Sequence, residues 1–370
     1  MKLTKYLKKF IKKLGRPSRR QIIKLVTVLV CLLIWFVLQI YRSVTVSSLY
    51  DQNAAARFSQ KNDYTTISAF FVEGTEVKED KHREFYFNIQ NALTTSAITK
   101  ESEEKDARLF IEAYSTFGTA SLVNGKKNVN ANVIGTGGDF FYIHPVELVS
   151  GMYYMPDAVM QDQILVDESV AWQLFGSSNI AGQTVSIGSK EFIISGVVRL
   201  AEGRFRKAAG YSTNLVYMPF SALAGYGAIS NSTNSISTYE VVMPNPVKNF
   251  ARDIVKKSLG VSETQMEIVD SASRYGNFRL FELFKSFGLR SMTGTAVRYP
   301  YWENIARGVE DILLTVLIVQ AVCLAIPICI AVWTIIQAYR HKKWTAMGIF
   351  TRINEKIYDM QSGLKIEKLK

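Results

Sequence analysis

Residues 137–151 read GGDFFYIHPVELVSG, residues 164–176 read ILVDESVAWQLFG, and IAGQTV (180–185) and FIISGVV (192–198) follow. Ile164, Leu165 and Val166 make a short apolar run that stops at Asp167-Glu168. Negative charge there suits the start of a helix, whose unpaired N–H groups carry partial positive charge. The spacing predicts a helix over 169–175 that seats Ala171, Leu174 and Phe175 on a sheet, with Trp172 buried beside them. Residues 184–187 and 191–198 flank Gly188-Ser189 and read as a hairpin. Gly137, Gly151, Gly182 and Gly196 fall at turns or strand irregularities where a side chain would be costly. All of these are packing requirements, so the stretch identifies a fold and not an active site.

Working outward, residues 64–72 are rich in Thr, Ile and Phe and read as a strand. Residues 82–98 place Phe85, Ile89, Leu93 and Ala97 four apart, a helix with one buried face. Residues 108–116 and 120–123 read as strands, and Asn124-Gly125 is a hairpin turn into 128–134. The run Gly135-Thr136-Gly137-Gly138 precedes Asp139-Phe140-Phe141 instead of a phosphate-binding helix, so it reads as a turn. Residues 238–243 read as a strand. Residues 246–259 read as a helix with Asn245 as N-cap and Pro246 at its first position. The interleaving is α+β, without a repeat of 20–50 residues.

Two apolar runs, 25–41 and 312–336, contain no charged residue. At about 1.5 Å per residue they reach about 26 Å and 37 Å, against a hydrocarbon core of about 30 Å. Both can span a membrane, which excludes a soluble cytoplasmic enzyme. The first run exceeds a signal-peptide core of about 7–15 residues and lacks a small-residue cleavage site, so it is expected to remain as an anchor.

The net charge of +12 is segregated. Residues 1–24 hold ten Lys/Arg and no acid, and residues 340–370 hold eight against three acids, leaving 26 basic and 29 acidic residues between. The basic residues flank membrane spans, so no nucleic-acid partner is implied. The positive-inside rule places both termini in the cytoplasm and residues 42–311 outside. The divisions are therefore 1–20, 21–41, 42–311, 312–338 and 339–370.

Leu3, Tyr6, Leu7, Phe10, Ile11 and Leu14 alternate with Lys5, Lys8, Lys9 and Lys12 at helical spacing. That pattern suits an interfacial helix on anionic lipid, or simply a basic topology signal. Residues 303–311 read as a helical stalk running unbroken into the second span, where Pro327 is expected to kink the helix. Gln39 and Gln320 are the span residues expected to face protein. Trp35, Trp302, Trp333 and Trp344 lie in or near the spans, where some of them are expected to act as interfacial anchors. Phe350, Ile353 and Ile357 lead a tail helix that either lies on the membrane or docks on a partner.

No P-loop, G-x-S-x-G or H-E-x-x-H motif occurs. His144, followed by Pro145 in an apolar stretch, reads as a packed histidine. Cys31, Cys323 and Cys329 all lie within the spans and do not make a structural zinc set. Neither a catalytic group, a cofactor nor a metal is expected.

The ordered segments GGDFF…LVSG, ILVDESVA…LFG, IAGQTV and FIISGVV resemble the MacB-like periplasmic core domain of bacterial ABC-transporter permeases. Residues 299–304, YPYWEN, also look like a segment of clostridial-type permease homologues. The resemblance implies a porter-like domain with an inserted second subdomain. It also implies an ATPase partner, and membrane helices that transmit motion outward instead of forming a channel. Family permeases have four spans where two are legible here, which implies a truncated or split subunit needing a second permease chain or a homodimer. The reading is a noncatalytic permease-like subunit in the bacterial cell membrane, coupling a separate cytoplasmic ATPase to an outer domain. The alternative is an anchored binding, scaffold or sensory protein without an ATPase. Lipid is a partner in both. Phe350, Ile353 and Ile357 are the candidate ATPase contact, and Lys5, Lys8, Lys9, Lys12 and Phe10 the candidate membrane-surface residues.

Overall fold

The computed structural model describes residues 18–59, 63–98, 108–200, 207, 213–231, 233–286 and 299–340. Residues 42–317 form one compact unit, and the apolar segments on either side belong to another.

In the larger unit the strands are β1 (Tyr64–Phe71), β2 (Ile111–Asn124), β3 (Lys127–Gly138), β4 (Glu147–Gly151), β5 (Gln163–Asp167) and β6 (Thr184–Ile187). They continue with β7 (Lys190–Arg199), β8 (Leu215–Pro219), β9 (Ala228–Ile229), β10 (Thr238–Pro244) and β11 (Met266–Asp270). The sheet runs β11-β1-β10-β2-β3-β8-β5-β7-β4, with β6 pairing β2 and β7, and β9 pairing β2. Pairing is antiparallel except at β3·β8 and β5·β7. The helices are α1 (Arg19–Ser47), α2 (Ala54–Phe58), α3 (Lys81–Thr95), α4 (Phe140–Ile143), α5 (Glu168–Phe175), α6 (Phe220–Tyr226), α7 (Phe250–Leu259), α8 (Asn277–Glu282) and α9 (Tyr301–Arg340).

Burial of apolar side chains, the main favourable term in folding, is divided among separate cores. One is built from the flanks of the domain: Ile67, Phe85, Ile89 and Leu93, then Tyr239, Val241 and Val255. A second is built from the chain between them, Leu122 to Leu223. A third gathers Phe117, Phe140, Tyr217, Tyr301 and Trp302. The middle of the chain thus builds its own core on the shared sheet.

Several local expectations hold. Asp167 caps α5, its carboxylate accepting from Val170 N–H at 2.9 Å. The β2–β3 hairpin closes with Asn124 opposite Lys127, and β6–β7 closes with Ile187 opposite Lys190.

Other expectations are corrected. Residues 111–116 and 120–123 belong to one strand, β2, which begins at Ile111 and not at 108. Residues 135–138 are not a turn but the end of β3, paired with 113–116 of β2. A Cβ at Gly137 would lie 2.0 Å from the Tyr114 ring, so glycine here lets the cross-strand tyrosine fold over the backbone. The helix expected from Pro246 starts only at Phe250. Asn245 still serves it from a distance, accepting from Ala251 N–H at 3.2 Å. Trp172 is 58% exposed, because α5 buries Val170, Ala171 and Leu174 and turns the intervening position outward. Of the tryptophans in or near the spans, Trp302 is the one that the structure makes a fully buried core residue.

Both α1 and α9 are long and apolar enough to cross a membrane, and α9 holds Pro327 in its interior. Gln320 donates from Nε2 to Gln39 Oε1 at 3.2 Å, so each amide has the other as a partner within the apolar unit.

Candidate functional site

The stalk is the first part of α9, and it is embedded in the domain instead of standing free. Glu303, Arg307 and Glu310 follow one another at steps of four and three, which puts them on one helical face. All three are buried, as is Arg274 from the turn after β11. Charged groups are almost never fully buried unless paired, and these are paired thoroughly.

Arg274 forks onto Glu303, Nη1 to Oε2 at 2.7 Å and Nη2 to Oε1 at 2.8 Å. Its Nε donates to Glu310 Oε1 at 2.5 Å, and Nη1 also reaches Gln52 Oε1 at 3.1 Å. Arg307 donates from Nε to Glu303 Oε1 and from Nη2 to Glu267 Oε1, both at 2.6 Å. Its guanidinium carbon lies 3.7 Å from the Tyr299 ring centroid, close enough for a cation–π contact. The Tyr299 hydroxyl donates to Glu267. Burial opposes the Glu303 charge, yet Arg274 and Arg307 outweigh it and hold the carboxyl below its ordinary value. The guanidinium groups of Arg274 and Arg307 are held charged by the same carboxylates, again against the effect of burial.

A second polar group adjoins Trp302, whose ring centroid is 4.2 Å from that of His144. His144 Nδ1 is 3.0 Å from Asp51 Oδ1, and its Nε2 bonds Glu240. The histidine is buried as expected, but it is also a charge held in place. Burial lowers its affinity for a proton, and Glu240 and Asp51 reverse that to raise its pKa to about 9.

These partners come from distant parts of the chain. Asp51 and Gln52 follow α1, Glu240 lies on β10 and Glu267 on β11, and Trp302 to Glu310 lie on α9. Arg274 therefore bridges Gln52, after one apolar helix, to Glu303, in the segment entering the other, while Glu267 and Glu240 bring the sheet into the same set of bonds through Arg307 and His144. Such an arrangement can resist relative displacement of stalk and sheet.

Sequence reasoning placed the stalk but missed the network. The step of Glu303, Arg307 and Glu310 was a usable signal, whereas Arg274, Asp51 and Glu240 carried none. Lys5, Lys8, Lys9, Lys12, Phe10, Phe350, Ile353 and Ile357 lie outside the described residues.

Fold and junction together define a membrane-anchored α+β domain tied by buried charge to the helices that flank it. The chain belongs to the MacB-like periplasmic core domain family, which matches residues 45–252 and places it among ABC-transporter permease relatives. It is 27% identical over 226 residues to the macrolide export ATP-binding/permease protein MacB of Shewanella sp. (strain W3-18-1), covering 60% of this chain and 34% of that protein. With the same-named protein of Agrobacterium fabrum it shares 24% over 187 residues, 49% of this chain and 28% of the relative. The chain thus spans about a third of the length of the curated relatives it matches. Among solved structures, the periplasmic region of MacB from Actinobacillus actinomycetemcomitans aligns at 21% identity and a TM-score of 0.36, over 59% of this chain and 92% of that one.

Proposed function

We propose that this chain is a noncatalytic permease-like subunit that couples a separate cytoplasmic ATPase to the outer domain through its membrane helices. The observation that carries this reading is the buried Arg274–Glu303–Arg307–Glu310 network, with Arg274 forked onto Glu303 at 2.7 and 2.8 Å. Moving α9 along or about its axis must either break these bonds in a low-dielectric setting or carry β11 and the turn after it along. In this reading both termini are cytoplasmic and residues 42–311 lie outside, a topology supported by the basic flanks. Lys5, Lys8, Lys9, Lys12 and Phe10 rest on lipid, and Phe350, Ile353 and Ile357 contact the ATPase. A second permease chain or a homodimer completes the membrane part.

The test is co-purification in mild detergent from the native membrane. Wild-type protein should bring down a P-loop ATPase, and Ile353→Asp with Ile357→Asp should lose it while still inserting in the membrane. An unpaired charge in such an interface costs several kcal/mol, against about 8 kcal/mol for a whole micromolar complex. Wild type that never retains an ATPase makes the chain an anchored binding, scaffold or sensory protein instead.

A further inference from the structure

Helix α8 continues as a tight 3-10 turn through Leu283–Ser286. Leu280 and Leu283 are buried there, packed with Val309, Leu313 and Leu314 of α9, with Val46 in the last turn of α1 and with Leu49 just beyond it. On the same ten residues Phe278, Phe281 and Phe284 are 78%, 69% and 59% exposed. At about 100° per residue the three phenylalanines share one flank beside the leucine face; Arg279 and Glu282 occupy the remaining arc, and the exposed Lys285 lies on the phenylalanine flank, where its long stem can reach the aqueous layer. Three exposed rings in ten residues are not a scattered surface pattern.

Their height along α9 identifies what covers them. The last charged residue of the stalk is Asp311, and the charge-free run begins at residue 312. Leucines packed on Val309, Leu313 and Leu314 therefore sit within about one helical turn, about 5 Å, of the point where α9 becomes apolar. The first apolar run ends at residue 41, so Val46 lies about 8 Å beyond it at helical rise. Both spans place the segment in the headgroup layer, where a helix with one apolar flank and one charged flank is stable.

We infer that residues 277–286 form an interfacial helix that seats Phe278, Phe281 and Phe284 in the lipid leaflet next to the domain. Lipid covers these rings, and Arg279 and Glu282 remain in the aqueous layer above. The segment thereby sets the height of the stalk against the membrane surface. This rests on α9 crossing the membrane and does not require an ATPase.

The full chain, with Cys31→Ala, Cys323→Ala and Cys329→Ala, is reconstituted into phosphatidylethanolamine/phosphatidylglycerol liposomes. Nitroxide labels are placed singly at Phe281→Cys, Phe284→Cys, Val322→Cys and Val159→Cys. Val322 lies in the apolar run of α9, and Val159 is 99% exposed in a loop of the domain. Collision with oxygen, which partitions into lipid, should exceed collision with a water-soluble nickel chelate at 281, 284 and 322, and the order should invert at 159. Chelate-dominated labels at 281 and 284, or labels shielded from both reagents, would overturn the inference while Val322 reads lipid. A chelate-dominated label at Val322 would overturn the membrane reading itself.

Discussion

Glu303 is the residue on which the junction turns. It is 1% exposed and bonded to two guanidinium groups, so removing it leaves Arg274 and Arg307 buried with less countercharge. Breaking a buried pair from one side typically costs about 3–5 kcal/mol, because the remaining charge is uncompensated. Glu303→Ala should therefore lower the melting temperature of the detergent-solubilised chain by several degrees at pH 7. Glu303→Gln keeps the acceptor oxygen but not the charge and should fall between the two. If melting is unchanged in Glu303→Ala, the network does not hold the stalk, and the coupling proposal loses its structural basis.

Elements show how local spacing becomes burial. Along α5, Val170, Ala171 and Leu174 face the sheet while Trp172 points outward. Leu174→Ala should cost about 2–5 kcal/mol from lost transfer energy and the cavity left behind. Trp172→Ala should stay within about 0.5 kcal/mol, as exposed substitutions do. Chemical denaturation followed by circular dichroism separates the two, and equal losses would mean that α5 is rotated from the orientation described. The β2–β3 hairpin was legible because Asn124-Gly125 is a strong local turn signal. The extension of β3 through Gly137 was not, because the reason for that glycine is Tyr114 on the neighbouring strand.

Across the whole molecule, two buried titratable groups bias stability the same way with pH. Burial pushes Glu112 up to about 7, despite the hydrogen bond donated by Tyr239. His144 is raised to about 9 because Glu240 and Asp51 outweigh its burial. Both folded-state values exceed the ordinary ones of 4.5 and 6.5. A raised folded value means that the folded state binds the proton more tightly, so stability falls as pH rises. The His144 contribution is complete below about 6.5 and lost as pH climbs through about 9, and its size corresponds to roughly 3 kcal/mol. The Glu112 contribution is lost earlier, between about 4.5 and 7. Melting temperature should decline from pH 6 to pH 10, and Glu112→Gln should raise it at pH 8 by sparing the buried charge. A curve that rises over that range would contradict the ionic environment assigned to His144.

Features that depend on near neighbours in the chain were legible from the residues in order. Charge-free runs long enough to span, the cap at Asp167, the two hairpin turns and the ordered glycine-and-helix segments that carry the family resemblance are all local. Apolar length, N–H capping and turn geometry are settled within a few residues, so they can be read in order. The rest followed from how distant segments pack. Residue 172 was legible as part of a helix, but its outward side depended on the register of α5 against the sheet. His144 read as packed, yet its charge is fixed by Asp51 and Glu240, about ninety residues away on either side. Arg274 looked like any loop arginine until the fold brought Glu303 and Glu310 around it. A buried charge needs partners that desolvate together, and which residues meet is set by topology, not by spacing along the chain.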